Sequence, residues 1–388
     1  MVKNNKVIVS DRGRHRVLSG HKWIFRSDIL EDNSNNSDIV FLFDKRKQFL
    51  GTALYSKNSQ ISLRVISENE IGDIEEYIQN SLVSSYKYRE TLGLIGDCMR
   101  IVNSESDGLP GLIIDKYADT IVFQVLIHPM ENLKNVLIKK IIDVLEPVQV
   151  FEKNDSGARK VEQLPEIVGT VYGKDRQNLY CSENHLTFYI DLVNSQKTSE
   201  FLDQKINRLI IGRKGFGRVL DLFCYHGWFG CNLRNYDELI LVDTSSNALK
   251  IAEKNLIINQ KKNFKLIELN VFDFLRELEK RGERFDTIIL DPPSFIKNKK
   301  DIKRGYAGYK EINLRAMKIL KKNGIMATFS CSYHMSDEEF QMMLRDAATD
   351  AKAEFIIKEY LRQSPDHKEI LGFSESHYLK GFILEKIS

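Results

Sequence analysis

Three runs in the second half of the chain read as buried strands with distinct ends: Leu220-Asp221-Leu222-Phe223-Cys224-Tyr225-His226-Gly227 runs into a glycine-containing turn, Ile289-Leu290-Asp291-Pro292-Pro293-Ser294-Phe295 into a rigid acidic turn, and Thr328-Phe329-Ser330-Cys331-Ser332 ends on a thiol. A strand that is apolar at every position is buried on both faces, which calls for helices above and below the sheet. The spacing supplies them. Strands are predicted over 218–223, 238–242, 264–269, 287–290 and 324–330, and helices over 246–259, 273–280 and 309–321. Such alternation implies a parallel, Rossmann-like sheet.

The first half reads differently. Runs at 7–9, 39–43, 50–55 and 61–66 are strand-like, and the polar cluster 32–37 separates two of them, so a small β-barrel is expected. Between about 70 and 195, strand signals at 101–102, 112–115, 120–126, 148–152 and 186–192 flank a helical pattern over 131–145. That is α+β order. The expected organisation is multidomain α/β and β: a barrel over 1–68, an α+β domain over 69–195 and a Rossmann-like domain over 196–388.

Charge is unevenly spread. Of 57 Lys/Arg, 12 fall in residues 1–66 against 6 of the 54 Asp/Glu, while the remainder is slightly acidic. A basic module on a near-neutral body suits phosphate binding. Arg12, Arg14, Arg16 and Lys22 are its candidate RNA contacts, with Lys297 and Lys300 in a second basic stretch. Trp23 and Phe25 are expected in the barrel core. A membrane span and a secretory leader are not expected. The five cysteines form no CxxC spacing or paired framework, so reduced thiols in a cytoplasm are expected. The eight histidines do not cluster with them at metal-ligand spacing, so no metal is expected.

Ligands of doubly wound sheets bind beyond the carboxyl ends of the strands. Gly227 permits a tight turn there. The turn lacks the GxGxxG pattern that cradles a pyrophosphate, which disfavours a nicotinamide cofactor. Asp243, ending the next strand, is placed to accept hydrogen bonds from ribose hydroxyls, and Asn270 to meet an adenine amino group or serve as a turn residue. Adenosine without phosphates fits this set best.

Asp291-Pro292-Pro293 is a rigid turn, since two prolines fix φ and remove two amide donors. It projects an acid and a carbonyl at a strand end. Cys331 stands at another strand end. Methylating cytosine at C5 requires a sulfur to add at C6 first, so a thiol facing the base is needed. A buried, inert cysteine is the other reading of Cys331.

With these residues the chain resembles the three-domain class I S-adenosylmethionine-dependent 23S rRNA (cytosine-5) methyltransferases, of the large-subunit methyltransferase I type. The resemblance rests on Gly20-His21-Lys22-Trp23-Ile24-Phe25, Glu105-Ser106-Asp107-Gly108-Leu109-Pro110-Gly111, Gln196-Lys197-Thr198, Phe201-Leu202-Asp203-Gln204, Asp291-Pro292-Pro293-Ser294-Phe295, Gly308-Tyr309-Lys310-Glu311-Ile312-Asn313, Phe329-Ser330-Cys331-Ser332 and Tyr378-Leu379-Lys380-Gly381. It implies an N-terminal PUA domain, a middle domain and a Rossmann-like domain. It implies an S-adenosylmethionine site at Asp221, Phe223, Gly227, Asp243, Asn270 and Asp291, with Phe201 and Asp203 nearby. Cys331 becomes the nucleophile, Asp291 its catalytic partner, ribosomal RNA the substrate, and a homodimer the assembly. The chain departs from the family at Ser195 and Ser199, where glycines are usual, at His226, and at Asn270, where an acid is usual. The alternatives are methylation of another base atom, such as a guanine nitrogen, or a non-catalytic ribosome-assembly factor that binds RNA.

Overall fold

Alternating apolar residues in short N-terminal runs pair into a six-stranded sheet, ordered Trp23–Phe25, Ile61–Ser67, Phe49–Tyr55, Ile39–Phe43, Lys6–Val9, Ile29–Asn33. Val7, Val9, Val40, Leu42, Leu63 and Val65 fill its interior. The computed structural model describes residues 5–94 and 96–388. It forms two compact units, one of Met1–Cys181, Ile190–Leu202 and Pro365–Ser376, the other of Ser182–Tyr189, Asp203–Ser364 and His377–Ser388.

In the first unit the sequence misleads at three places. Asp11–Leu18, for which no element is predicted, is a helix capped by Ser10, whose hydroxyl accepts from the Gly13 amide at 3.2 Å. Trp23 and Phe25 are not barrel core. Strand side chains alternate, so Ile24 points inward, fully buried, and the two aromatics face the other way. Trp23 Nε1 donates to Glu105 Oε1 at 2.8 Å and its ring meets Phe373 edge-on at 5.1 Å. Phe25 carries the Arg16 guanidinium 4.7 Å above its ring. Finally, Cys98 and Cys181 are not reduced and unpaired: they join as a disulfide. Their separation of 83 residues gave no spacing signal.

The middle part of this unit is a five-stranded sheet, ordered Ile167–Gly173, Gln149–Asn154, Thr120–Val125, Leu112–Tyr117, Cys98–Asn103. Helices Ile74–Thr91 and Lys134–Leu145 cover it through Ile78, Leu82, Leu137 and Ile141. Ser199, one of the departures, has φ 130°, a backbone conformation that favours glycine.

The second unit is built on a seven-stranded sheet. Its strands are β1 (Arg218–Leu222), β2 (Glu238–Asp243), β3 (Phe264–Glu268), β4 (Phe285–Leu290), β5 (Leu320–Ser330), β6 (Phe355–Arg362) and β7 (Lys380–Lys386). The order is β3-β2-β1-β4-β5-β7-β6. The first five run parallel, and β7 lies antiparallel between β5 and β6. Helices pack on it by apolar faces. Val271, Phe274, Leu275 and Leu278, buried along Val271–Lys280, give one such stripe. The helix Ile302–Ile319 begins seven residues before the expected start and takes Lys303 and Arg304 into its first turns. No helix among the described residues is long and apolar enough to cross a membrane.

Candidate active site

The strand order reverses between β1 and β4, and a crevice opens at such a switch point. The register sets what lines it. Leu222 of β1 stands opposite Val242 of β2 and Leu290 of β4, and Leu290 stands opposite Thr328 of β5. Phe223, Asp243 and Asp291, directly beyond these positions, therefore share one edge, and Cys331 follows Thr328 by three residues at the end of β5.

The loop after β1 is tightly wound. Phe223, Tyr225 and Gly227 have φ of 61°, 47° and 74°. At Gly227 space is also short, for a Cβ there would sit 3.0 Å from Ala252 Cβ. Asp243 ties the loop down: the Tyr225 amide donates to Oδ2 at 3.0 Å and the Ser245 amide to Oδ1 at 2.9 Å. Asp243 is thus not the cap of the following helix. Ser245 is, accepting from the Ala248 amide at 3.2 Å.

Asp221 is fully buried beneath this loop, and among the described residues no donor meets either carboxylate oxygen in full hydrogen-bond geometry. Burial pushes its pKa well above the usual carboxylate range, and the charges of Asp291 and Asp243 push it further. The Gly230 amide offsets this only in part. Three acids converge on the crevice, and among the described residues no cation acts on Asp221, an arrangement that favours a positively charged ligand.

Cys331 Sγ lies 4.0 Å from the Pro292 carbonyl oxygen, which brings the thiol to the Asp-Pro-Pro turn. The next residue fastens the two segments. Ser332 Oγ is 2.8 Å from Ser294 Oγ and 2.9 Å from the Tyr309 hydroxyl, and accepts from the Ile296 amide at 3.3 Å. Gly305 lets the helix Ile302–Ile319 close on the loop, because a Cβ there would fall 2.3 Å from Ile296 Cγ1. Beside the loop is a cleft of about 670 Å³ lined by Pro293, Ser294, Phe295, Lys297 and Arg304 among others. Cys331 is half-buried, while Cys224 and Cys231 are buried. Burial, with the charges of Asp221 and Asp243, holds the Cys224 thiol well above its ordinary pKa. It is a packing residue.

The other expected site residues scatter. Asn270 is exposed, and its side-chain oxygen caps the helix Val271–Lys280 by accepting from the Phe272 amide at 2.9 Å. Asp203 accepts from the Tyr378 hydroxyl at 2.8 Å, which fixes it to the approach to β7. Phe201 belongs to the first unit, where Lys197 Nζ sits 4.3 Å over its ring. Arg12, Arg14, Arg16 and Lys22 belong to the first unit too. Arg12 pairs with buried Asp28 at 2.5 Å, Arg14 with buried Asp44 at 3.2 Å and Arg16 with Asp28 at 3.7 Å. Lys297 and Lys300 are exposed on the loop after the Asp-Pro-Pro turn. Sequence reasoning assigned no part to Ser332, Tyr309 or Lys380. All three lay inside the runs that carried the family resemblance, which was the only signal for them.

Residues 7–68 match the family described as PUA-like domain, and residues 214–375 the family described as methyltransferase domain. The chain thus joins a PUA-like β domain to a Rossmann-like methyltransferase fold. It is 36% identical over 385 residues to a ribosomal RNA large subunit methyltransferase I from Tolumonas auensis, covering 96% of each chain. The chain belongs to the ribosomal RNA large subunit methyltransferase I family. Its fold is shared with a putative SAM-dependent methyltransferase from Streptococcus mutans (TM-score 0.85, 21% identity, 99% of this chain and 100% of the other). It is shared also with a putative methyltransferase complexed with SAH (TM-score 0.84, 20% identity, the same coverage).

Proposed function

We propose that this chain uses S-adenosylmethionine to form 5-methylcytosine in large-subunit ribosomal RNA, with Cys331 as the nucleophile. The observation that carries this reading is the half-buried Cys331 sulfur 4.0 Å from the Pro292 carbonyl, at the edge where Asp221, Asp243 and Asp291 gather.

The cofactor fits these residues. Its sulfonium and amino groups are cationic, and the crevice holds Asp221, a buried acid whose charge is disfavoured where it stands. Asp243, the wound loop from Phe223 to Gly227, and Asp221 beneath it would hold the adenosyl and amino-acid parts. When bound, S-adenosylmethionine supplies an electrophilic methyl group. Asn270, Phe201 and Asp203 complete the set that the family resemblance assigns to it. The three-domain reading, with boundaries at 68 and 195, belongs to the same proposal.

The chain's own residues then act on the base. A cytosine leaves its stack to enter the site, while Lys297 and Lys300 hold flanking phosphates. The Cys331 thiolate forms a bond to C6, and the ring electrons move to C5, which becomes nucleophilic. Asp291 meets the N3/N4 edge and favours that addition. After methylation and loss of the C5 proton, the C6–sulfur bond breaks and the thiolate returns. The proline-fixed turn and the Ser332 bonds keep the two reacting segments in register.

The test is Cys331→Ala. Formation of 5-methylcytosine in a large-subunit RNA substrate, read by nucleoside mass spectrometry, is expected to fall at least a thousandfold, with S-adenosylmethionine affinity retained in calorimetry. Unimpaired transfer by the variant overturns the thiol mechanism and favours attack by a nitrogen atom of another base. Absence of cofactor binding by the unaltered protein favours the non-catalytic assembly factor.

A further inference from the structure

We propose that Lys380 is a positioning residue for the reacting thiol: its buried amino group, held against the backbone just past Cys331, keeps that sulfur in the thiolate form. The inference deepens the reading above and rests on Cys331 being the nucleophile.

The fold places this lysine. Lys380 opens β7 and pairs with Ser330 of β5, the residue before Cys331. Its Nζ donates to the Ser332 carbonyl oxygen at 2.9 Å, the residue after Cys331. The side chain thus spans the strand end that carries the thiol. It is 3% exposed. A buried ammonium needs an anion, and a neutral carbonyl satisfies hydrogen bonding without balancing charge.

Three groups able to carry negative charge lie near enough to act on it: Asp337 first, then Cys331, then Glu339. Asp337 is half exposed and already accepts from His377 Nε2 at 2.8 Å. Glu339 accepts from the Ser336 amide at 2.7 Å in a helix capping box. Water and these partners weaken both as counter-ions. Tyr309, also beside the sulfur, is held neutral, its pKa raised by burial and by Cys331. The Cys331 thiol is the remaining acidic group, one residue from the carbonyl that the Lys380 amino group holds. Burial lowers the Lys380 pKa, so its ammonium gains from a thiolate next to it, and the gain is mutual. The accounting is simple. The thiol gives up its proton to solvent, ammonium and thiolate face each other, and addition to C6 consumes the thiolate, which elimination restores.

The test reads the thiol without RNA or cofactor. Cys331 in the full chain is alkylated with iodoacetamide across pH, and the modified peptide is quantified by mass spectrometry with Cys331→Ala as blank. In unaltered protein the midpoint should lie below the ordinary thiol value of about 8.5. In Lys380→Met it should rise by about one unit, a roughly tenfold slower reaction at pH 7, and Lys380→Arg should restore most of the loss. A midpoint unmoved in a folded Lys380→Met protein overturns the proposal, as does a shift that arginine does not rescue. Should Lys380→Met not fold, a midpoint of 8.5 or higher in the unaltered protein overturns it alone. Because no methyl transfer is measured, this result stands apart from the Cys331→Ala assay.

Discussion

The hydroxyls of Ser294 and Ser332 meet at 2.8 Å, across 38 residues of chain. One follows the Asp-Pro-Pro turn and the other follows Cys331. Ser332 is fully buried and also engages Tyr309 and the Ile296 amide. Removing it in Ser332→Ala strands polar groups without water, at a cost of about 1–3 kcal/mol. Urea unfolding followed by Trp228 fluorescence, in a Trp23→Phe background, isolates the second unit. The midpoint is expected to fall, and methyl transfer to fall with it. An unchanged midpoint would show that this hydroxyl does not hold the loop to the strand.

Asp221 makes a prediction of opposite sign. Its carboxyl is buried among acids and its folded pKa is raised. The folded protein therefore keeps a proton that the unfolded chain releases, and stability falls as pH rises above the unfolded value of about 3.9. Asp221→Asn removes this titration. Without cofactor, the variant should be at least as stable as the unaltered protein at pH 7, and the difference should vanish below about pH 4. Its affinity for S-adenosylmethionine should drop in calorimetry. A variant that is less stable at pH 7 and binds cofactor normally would contradict both halves.

The parallel sheet was legible because short, mostly apolar strand cores such as 239–242 and 288–290, alternating with helical patterns, admit few other folds. Asp243, Asp291 and Cys331 were legible for the same reason, each standing where such a strand stops. Local pattern said less about what lies between. The helix Asp11–Leu18 carries four charged residues and a glycine, so its apolar stripe is too thin to see, and only the Ser10 cap marks its start. Ile74–Thr91 buries just Ile78, Leu82, Ser85 and Arg89 among its eighteen residues. Its face is partly polar because Arg89 reaches Asp107. The Cys98–Cys181 bridge and the bonds of Ser332 depend on tertiary approach, and spacing along the chain does not encode them.

Arg89 and Asp107 form a fully buried pair, with Nη1 to Oδ1 and Nη2 to Oδ2 both at 2.6 Å. Burial alone would raise the Asp107 pKa, but the Arg89 bonds and the charge of Lys368 more than offset it and the net shift is downward. A depressed folded pKa gives stability that is present above the unfolded value of about 3.9 and is lost as pH falls through the folded one. Arg89→Met leaves the carboxylate with Lys368, 2.7 Å away, and should cost about 3 kcal/mol. The acid-unfolding midpoint should move to higher pH. Adding Asp107→Leu should recover part of the loss, since no charge then stays buried. Failure of the double variant to regain stability would show that the pair's worth lies in its geometry.

Lys297 and Lys300 differ from the basic residues of the barrel in what surrounds them. Arg12 and Arg14 are each set against a buried aspartate, so much of their charge is already answered. Lys297 and Lys300 are exposed, and Lys297 lines the cleft next to Pro293. Each phosphate contact to single-stranded RNA contributes about 0.7 to the slope of log affinity against log salt. The double variant Lys297→Ala/Lys300→Ala should therefore lower that slope by about 1.4 and weaken binding across RNA sequences. Arg12→Ala should instead appear first as lost stability, because it leaves buried Asp28 with Arg16 at 3.7 Å. Filter binding between 50 and 200 mM salt (roughly the range over which such contacts are screened) checks the slopes, and thermal unfolding checks the stability. Equal slopes for the unaltered protein and the double lysine variant would remove this loop from the RNA interface.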